Sequence, residues 1–204
     1  TFGHDLVASY GALPAKHRNL LPDEARLLMS ANKSLEQRSV RRGGSVTLLK
    51  GIRLVATDVD GVLTDAGMYY SESGDEWKKF NTRDGMGIKL LQKAGLITAI
   101  VTQERTRLVA RRAEKLAIPE LHQGVMDKLS VIREMAIRHG ISLQQIAYIG
   151  DDVNDIEALK AVGVSAAPAD ALPQVLDVVG YVCQKKGGEG AVRELAELIL
   201  QARV

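Results

Sequence analysis

Residues 54–64, Leu-Val-Ala-Thr-Asp-Val-Asp-Gly-Val-Leu-Thr, constrain the fold more than any other stretch of the chain. A short apolar run leading into Asp58-x-Asp60-Gly61 reads as a buried strand that ends in two carboxylates and a turn glycine. Side chains two apart on a strand share a face. Asp58 and Asp60 are therefore expected to crowd one small volume, which is tolerable only with a cation or a shared proton between them. Aspartate and glycine are also common in ordinary surface turns, so this stretch alone leaves a plain turn open.

A second acidic cluster decides between those readings. Gly150-Asp151-Asp152-Val153-Asn154-Asp155 again follows an apolar run, 146–149, about 90 residues downstream. Two strands ending in carboxylates can meet at one edge of a parallel sheet, where open α/β folds place their ligands. Between them, Thr102 follows the apolar run 96–101, and Lys128 lies near the start of a helical pattern. Helices are expected at 84–93, 104–117, 127–139, 152–161 and 171–176, with a last one carrying Val192, Leu195, Ala196 and Ile199 at helical spacing. Strands are expected at 96–101, 121–122, 146–149, 163–166 and 180–183. Because strand and helix alternate, the expected fold class is α/β: a Rossmann-like, doubly wound parallel sheet covered on both faces. Residues 67–80 carry two β-prone runs around Ser73-Gly74-Asp75 and read as a β-hairpin flap. Its aromatic residues, including the sole tryptophan Trp77, sit on a feature too small to bury them. Oligomerisation would cover them; packing on the parent domain is the simpler alternative.

Composition removes several classes. A formal net charge of +2 with 25% charged residues gives no basic footprint for nucleic acid. The single cysteine, Cys183, rules out an internal disulfide and fits a reducing compartment. No run approaches the roughly 18 to 20 apolar residues of a membrane helix, and no charged-then-apolar leader opens the chain. A soluble cytoplasmic protein without membrane contact is expected. Residues 1–50 lack the strand and helix rhythm; a helix from Pro22 and an Arg-rich hinge over 38–44 are expected there. That segment reads as an N-terminal extension or linker of unknown role, or the tail of an upstream domain, ahead of an α/β domain at 51–204.

With the acidic clusters, Thr102 and Lys128 in this order, the chain resembles the haloacid dehalogenase-like phosphohydrolases. The four matching motifs are Asp58-Val59-Asp60-Gly61, Thr102, Lys128 and Gly150-Asp151-Asp152-x-Asn154-Asp155. The resemblance implies that Asp58 attacks phosphorus to form an aspartyl phosphate. Asp60 would protonate the leaving alcohol and then activate water. Magnesium is the implied cation, held by the Asp58 carboxylate, the Asp60 backbone carbonyl and Asp151, with Asp152, Asn154 and Asp155 behind them. Thr102, the Gln103 amide and Lys128 would bind phosphoryl oxygens. Taken as bare residues, Thr102 serves equally as a helix cap and Lys128 as a solvated charge, and Gln103 stands where the family usually has glycine. Only about 40 residues separate Asp60 from Thr102, and 26 separate Thr102 from Lys128. No cap domain fits in either gap, so the cleft lies open unless a neighbouring subunit closes it.

Within that family the chain is similar to the capless sugar-acid phosphatases, on Trp77-Lys78-Lys79-Phe80-Asn81-Thr82-Arg83-Asp84-Gly85, Gln123-Gly124-Val125-Met126-Asp127-Lys128 and 187–194. That likeness implies a homotetramer in which hairpins pack together. Glu104 and Lys115, with Arg112, look like the nine-carbon group acting on 2-keto-3-deoxynononate 9-phosphate or N-acetylneuraminate 9-phosphate; 3-deoxy-manno-octulosonate 8-phosphate is the alternative substrate. On one helix Glu104 and Lys115 would lie about 16 Å apart, so they would act from different subunits or through Arg112, unless the stripe is a solvated face. Gly187 and Gly188 could let backbone approach a ligand or simply form a turn. Two rivals come from other classes: a non-catalytic tetramerisation module of a sialic acid cytidylyltransferase, and a phosphoaccepting receiver domain. The acidic motifs present here disfavour both.

Overall fold

The computed structural model describes residues 46–204; the helix expected from Pro22 and the hinge at 38–44 lie outside the described residues. A six-stranded parallel sheet is built around β1 (Leu54–Thr57), which pairs on one side with β4 (Ile97–Thr102) and on the other with β6 (Ile146–Ile149). Beyond β4 lies β5 (Glu120–Gln123), and beyond β6 lie β7 (Val164–Ala167) and β8 (Tyr181–Val182), giving the order β5-β4-β1-β6-β7-β8. The chain thus winds outward from β1 through β4 to β5, then returns to β6 on the other side of β1. At such a reversal the carboxyl ends of the strands leave a crevice.

β1 and β6 are buried along their whole length, as strands covered on both faces must be. Leu54, Ala56, Ala99, Val101, Ile146 and Tyr148 share one core with Ile132 and Met135 of α4 (Lys128–Arg138) and with Ala158 and Leu159 of α5 (Ile156–Ala161). Alternation sends Val55, Ile100, Ala147 and Ile149 to the other face, where they are also buried. Two further helices pack against each other, α2 (Thr82–Lys93) and α7 (Ala191–Ala202). They contribute buried Ile88, Leu91, Val192, Leu195, Ala196 and Ile199. Helix α1 (Val46–Gly51) packs on α7 and buries Leu49, so packing begins ahead of the boundary expected at residue 51.

The hairpin forms as expected: β2 (Tyr69–Tyr70) pairs antiparallel with β3 (Glu76–Trp77), and a Thr64–Phe80 bridge ties its base to the loop after β1. With α2 it fills the interval between β1 and β4, so among the described residues no cap domain stands there. Three helices are shorter than the sequence suggests. α3 spans Arg107–Leu116 rather than 104–117, because the Thr106 hydroxyl accepts the Val109 amide at 3.2 Å and starts the helix there. The expected helix at 152–161 is a 3-10 turn at Val153–Asp155 followed by α5, and α6 is only Pro173–Leu176. Among the described residues, no helix is long and apolar enough to cross a membrane.

Candidate active site

β1 ends at Thr57, one residue before the first aspartate, and the Asp58 amide continues the ladder by donating to the Ile149 carbonyl at 3.0 Å. That bond sets Asp58 beside the end of β6. Its Oδ1 accepts the Val59 amide at 2.7 Å, and its Oδ2 accepts Lys128 Nζ at 2.8 Å. Lys128, the first residue of α4, is only 2% exposed and also donates to Asp155 Oδ1 at 2.6 Å. Burial alone would lower the Lys128 ammonium, but Asp58 and Asp155 raise it and keep it charged.

Asp58, Asp151 and Asp155 each offer an oxygen, all within 4.8 Å of one another. Asp155 is the committed member. Its Oδ1 holds Lys128 and the Tyr148 hydroxyl, and its Oδ2 accepts the Asp151 and Asp152 amides at 3.0 and 3.2 Å. Asp151 has a buried Oδ1 without a partner. Burial, then the charges of Asp58 and Asp155, push the Asp151 carboxyl up to about 8; burial and Asp155 push Asp58 up to about 6. An orphaned buried oxygen among crowded carboxylates with raised affinity for protons is what a hard divalent cation relieves, so the residues fit a magnesium site. Gly61 makes the approach possible: its φ is +78° and a Cβ there would collide with the Asp151 carboxylate.

A cleft of about 480 Å³ opens over this cluster, lined by Asp58, Asp60, Thr102, Gln103, Glu104, Asp151, Asp152 and Asn154 among others. Thr102 is buried at the end of β4 and does not cap α3, a role that falls to Thr106. Gln103 Oε1 accepts Asn154 Nδ2 at 3.0 Å across the cleft mouth, while Asp152 caps its own turn by accepting the Val153 amide. Asp60 lines the same cleft as Asp58 but is not one of the three clustered carboxylates; its Oδ1 pairs with Lys78 Nζ at 2.7 Å. Lys78 also donates to Glu104 Oε2.

The remaining expected residues are distributed differently. Glu104 precedes α3, so it does not share a helix with Lys115; it faces the acidic cleft, while Arg112 and Lys115 line a separate groove with Lys78, Phe80, Leu108 and Arg111. Arg112 donates to the Asn81 carbonyl at 2.8 Å and lies 5.4 Å from the Phe80 ring centre. Gly187 and Gly188 pack on the loop after β1, where a Cβ on Gly187 would strike the Gly61 carbonyl. Sequence reasoning missed Lys78 and Tyr148 as members of the site. The signal for Tyr148 was a lone hydroxyl in the apolar run before Gly150; for Lys78 it was membership of the 77–85 stretch on which the likeness to the capless sugar-acid phosphatases rests.

A family model of haloacid dehalogenase-like hydrolases matches residues 118–195. The 3-deoxy-D-manno-octulosonate 8-phosphate phosphatase of Yersinia pestis is 45% identical over 152 residues, 74% of this chain and 81% of that protein. The Moraxella catarrhalis enzyme of the same name, solved with magnesium, phosphate and the sugar acid, superposes with a TM-score of 0.76 at 40% identity, covering 78% of this chain and 91% of that one. The cobalt-bound enzyme from Haemophilus influenzae gives a TM-score of 0.74 at 39% identity, over 76% and 91%. With this extent of likeness, and with hairpin and helix alone between β1 and β4, the chain belongs to the capless haloacid dehalogenase-like phosphatases.

Proposed function

We propose that the protein is a magnesium-dependent phosphatase of a phosphorylated 3-deoxy-2-keto sugar acid, acting on 3-deoxy-manno-octulosonate 8-phosphate. The observation that carries the chemistry is Asp58, buried between the Lys128 ammonium and the orphaned Asp151 oxygen at the floor of the cleft. Asp58 attacks phosphorus, and as the ester P–O bond breaks the departing oxygen takes the proton from Asp60. Asp60 then removes a proton from water as that water attacks the aspartyl phosphate, which frees phosphate and restores Asp58. Lys128 and Thr102 face the phosphoryl oxygens and stabilise the charge that develops there. Magnesium, held by Asp58, Asp151 and the Asp60 carbonyl, would supply neutralisation of the phosphoryl group. Asp155 holds Lys128 and the 151–152 backbone in place, and Asp152 and Asn154 shape the mouth.

The substrate follows from the named relatives, which act on the eight-carbon acid. The nine-carbon 9-phosphates remain a second reading on one observation: Glu104 lines the cleft, where a carboxylate can accept hydrogen bonds from sugar hydroxyls. A homotetramer is part of the proposal, supported by the uncovered aromatic hairpin. Phosphate release from a panel of eight- and nine-carbon ketoacid phosphates, with magnesium and with chelator, tests the reading. The octulosonate ester should turn over fastest; faster release from a nine-carbon ester would transfer the assignment, and no magnesium-dependent release from any would end it.

A further inference from the structure

We infer that Lys78 is the positioning residue of the proton-transfer step, which rests on the proposed role of Asp60. Its ammonium sits between two carboxylates that are 44 residues apart in the chain, Asp60 Oδ1 at 2.7 Å and Glu104 Oε2. Lys78 is itself held from both sides: Glu76 and Trp77 before it are in the hairpin ladder, and Phe80 after it bridges to Thr64, on the same loop as Asp60. A hydrogen bond to one oxygen of Asp60 leaves the other to face the cleft, where the ester oxygen needs its proton. Glu104 balances the ammonium, so Lys78 orients Asp60 without placing a net positive charge beside it. The neighbouring Lys79 takes no part in this, being exposed and paired with Asp65.

Leaving-group dependence distinguishes this from a structural role. A departing alkoxide needs a proton as the bond breaks, whereas p-nitrophenolate leaves without one. Lys78→Met is expected to lower kcat/KM, which reports the step in which the alcohol departs, about a hundredfold on the alkyl ester that the wild type hydrolyses fastest, within the range of general acid catalysis, and less than about fivefold on p-nitrophenyl phosphate. Hydrolysis of the aspartyl phosphate is common to both esters, so kcat is not the quantity compared. Lys78→Arg keeps a charged donor and should recover most of the alkyl-ester rate. Equal losses on the two esters, or no loss on the alkyl ester, would overturn the inference, as would failure of Lys78→Arg to improve on Lys78→Met when both melt at the wild-type temperature. Should no sugar-acid ester be preferred by the wild type, the substrate proposal fails while glycerol phosphate against p-nitrophenyl phosphate still reads the role of Lys78.

Discussion

Asp58, Asp151 and Asp155 cluster around one buried ammonium that pairs with Asp58 and Asp155 only, and that imbalance of charge governs what single substitutions should do here. Asp58→Asn keeps the shape and removes the nucleophile; turnover is expected to fall by on the order of 10⁴-fold or more with the melting curve retained. Residual activity near wild type in steady-state phosphate release would show that another group attacks. Asp151→Asn replaces a buried carboxyl repelled by its neighbours with a neutral amide, so the metal-free variant should be no less stable than the wild type. Magnesium at a hundredfold excess over its dissociation constant should stabilise the wild type by about 2.7 kcal/mol. Thermal unfolding with and without chelator should show that gain in the wild type and its absence in Asp151→Asn. At this scale the sequence pointed to Asp58, Thr102 and Asp151, which line one cleft, and to Lys128, which is buried against Asp58, because each closes a strand or opens a helix at the same sheet edge. It did not show that Asp60 pairs with Lys78. Strand alternation applies only while the chain is a strand, and β1 stops at Thr57.

Between elements, two small devices fasten helices to β5. Thr106 starts α3, and its own amide donates to Gln123 Oε1 at 2.9 Å, pinning the end of the 103–105 loop to β5. Thr106→Ala should cost about 1 kcal/mol, read as a shift in denaturation midpoint at unchanged slope. The helix expected from Glu104 failed for a reason visible afterwards: a threonine three residues ahead of Val109 is a cap signal, and apolar periodicity alone overran it. At the other end of β5, Glu120 ties the end of α4 to the sheet, accepting from His139 at 2.7 Å, His122 at 2.9 Å and Arg138 at 2.9 Å. Burial would raise the Glu120 carboxyl, but the hydrogen bonds from His139 and His122 outweigh it and hold it below the ordinary range. A carboxyl lower in the folded than in the unfolded chain contributes stability that is complete above the unfolded value and is lost as pH falls through the folded one. Glu120→Gln should therefore cost about 1 to 2 kcal/mol at neutral pH, and its denaturation midpoint should converge on that of the wild type in acid. A gap that persists unchanged into acid would mean the contact is packing and not charge.

For the molecule as a whole, the hairpin presents Tyr70 at 68% and Trp77 at 56% exposure, with no described residue laid over them. A two-stranded ribbon of this size does not sustain itself in water, and exposed aromatic side chains on both its strands favour a second copy. Sedimentation should find the proposed tetramer in the wild type, and Trp77→Ser with Tyr70→Ser should shift it toward smaller species; a monomer in both would remove the oligomer from the proposal. Cys183 is buried, and burial raises its thiol well above the ordinary range, so thiol reagents should modify it only after unfolding. The sequence by itself determined the class of fold and the edge at which chemistry occurs. Short continuous apolar runs ending in Asp, Thr and Gly-Asp, separated by helical stretches, have one economical arrangement, a parallel sheet with its polar residues at the carboxyl ends. Only the tertiary structure decided which charges meet: Lys128 with Asp58 across 70 residues, Lys78 with both Asp60 and Glu104, and Gly187 against Gly61. Those pairings depend on the register between strands and on how closely loops pack, and neither leaves a periodic trace along the chain.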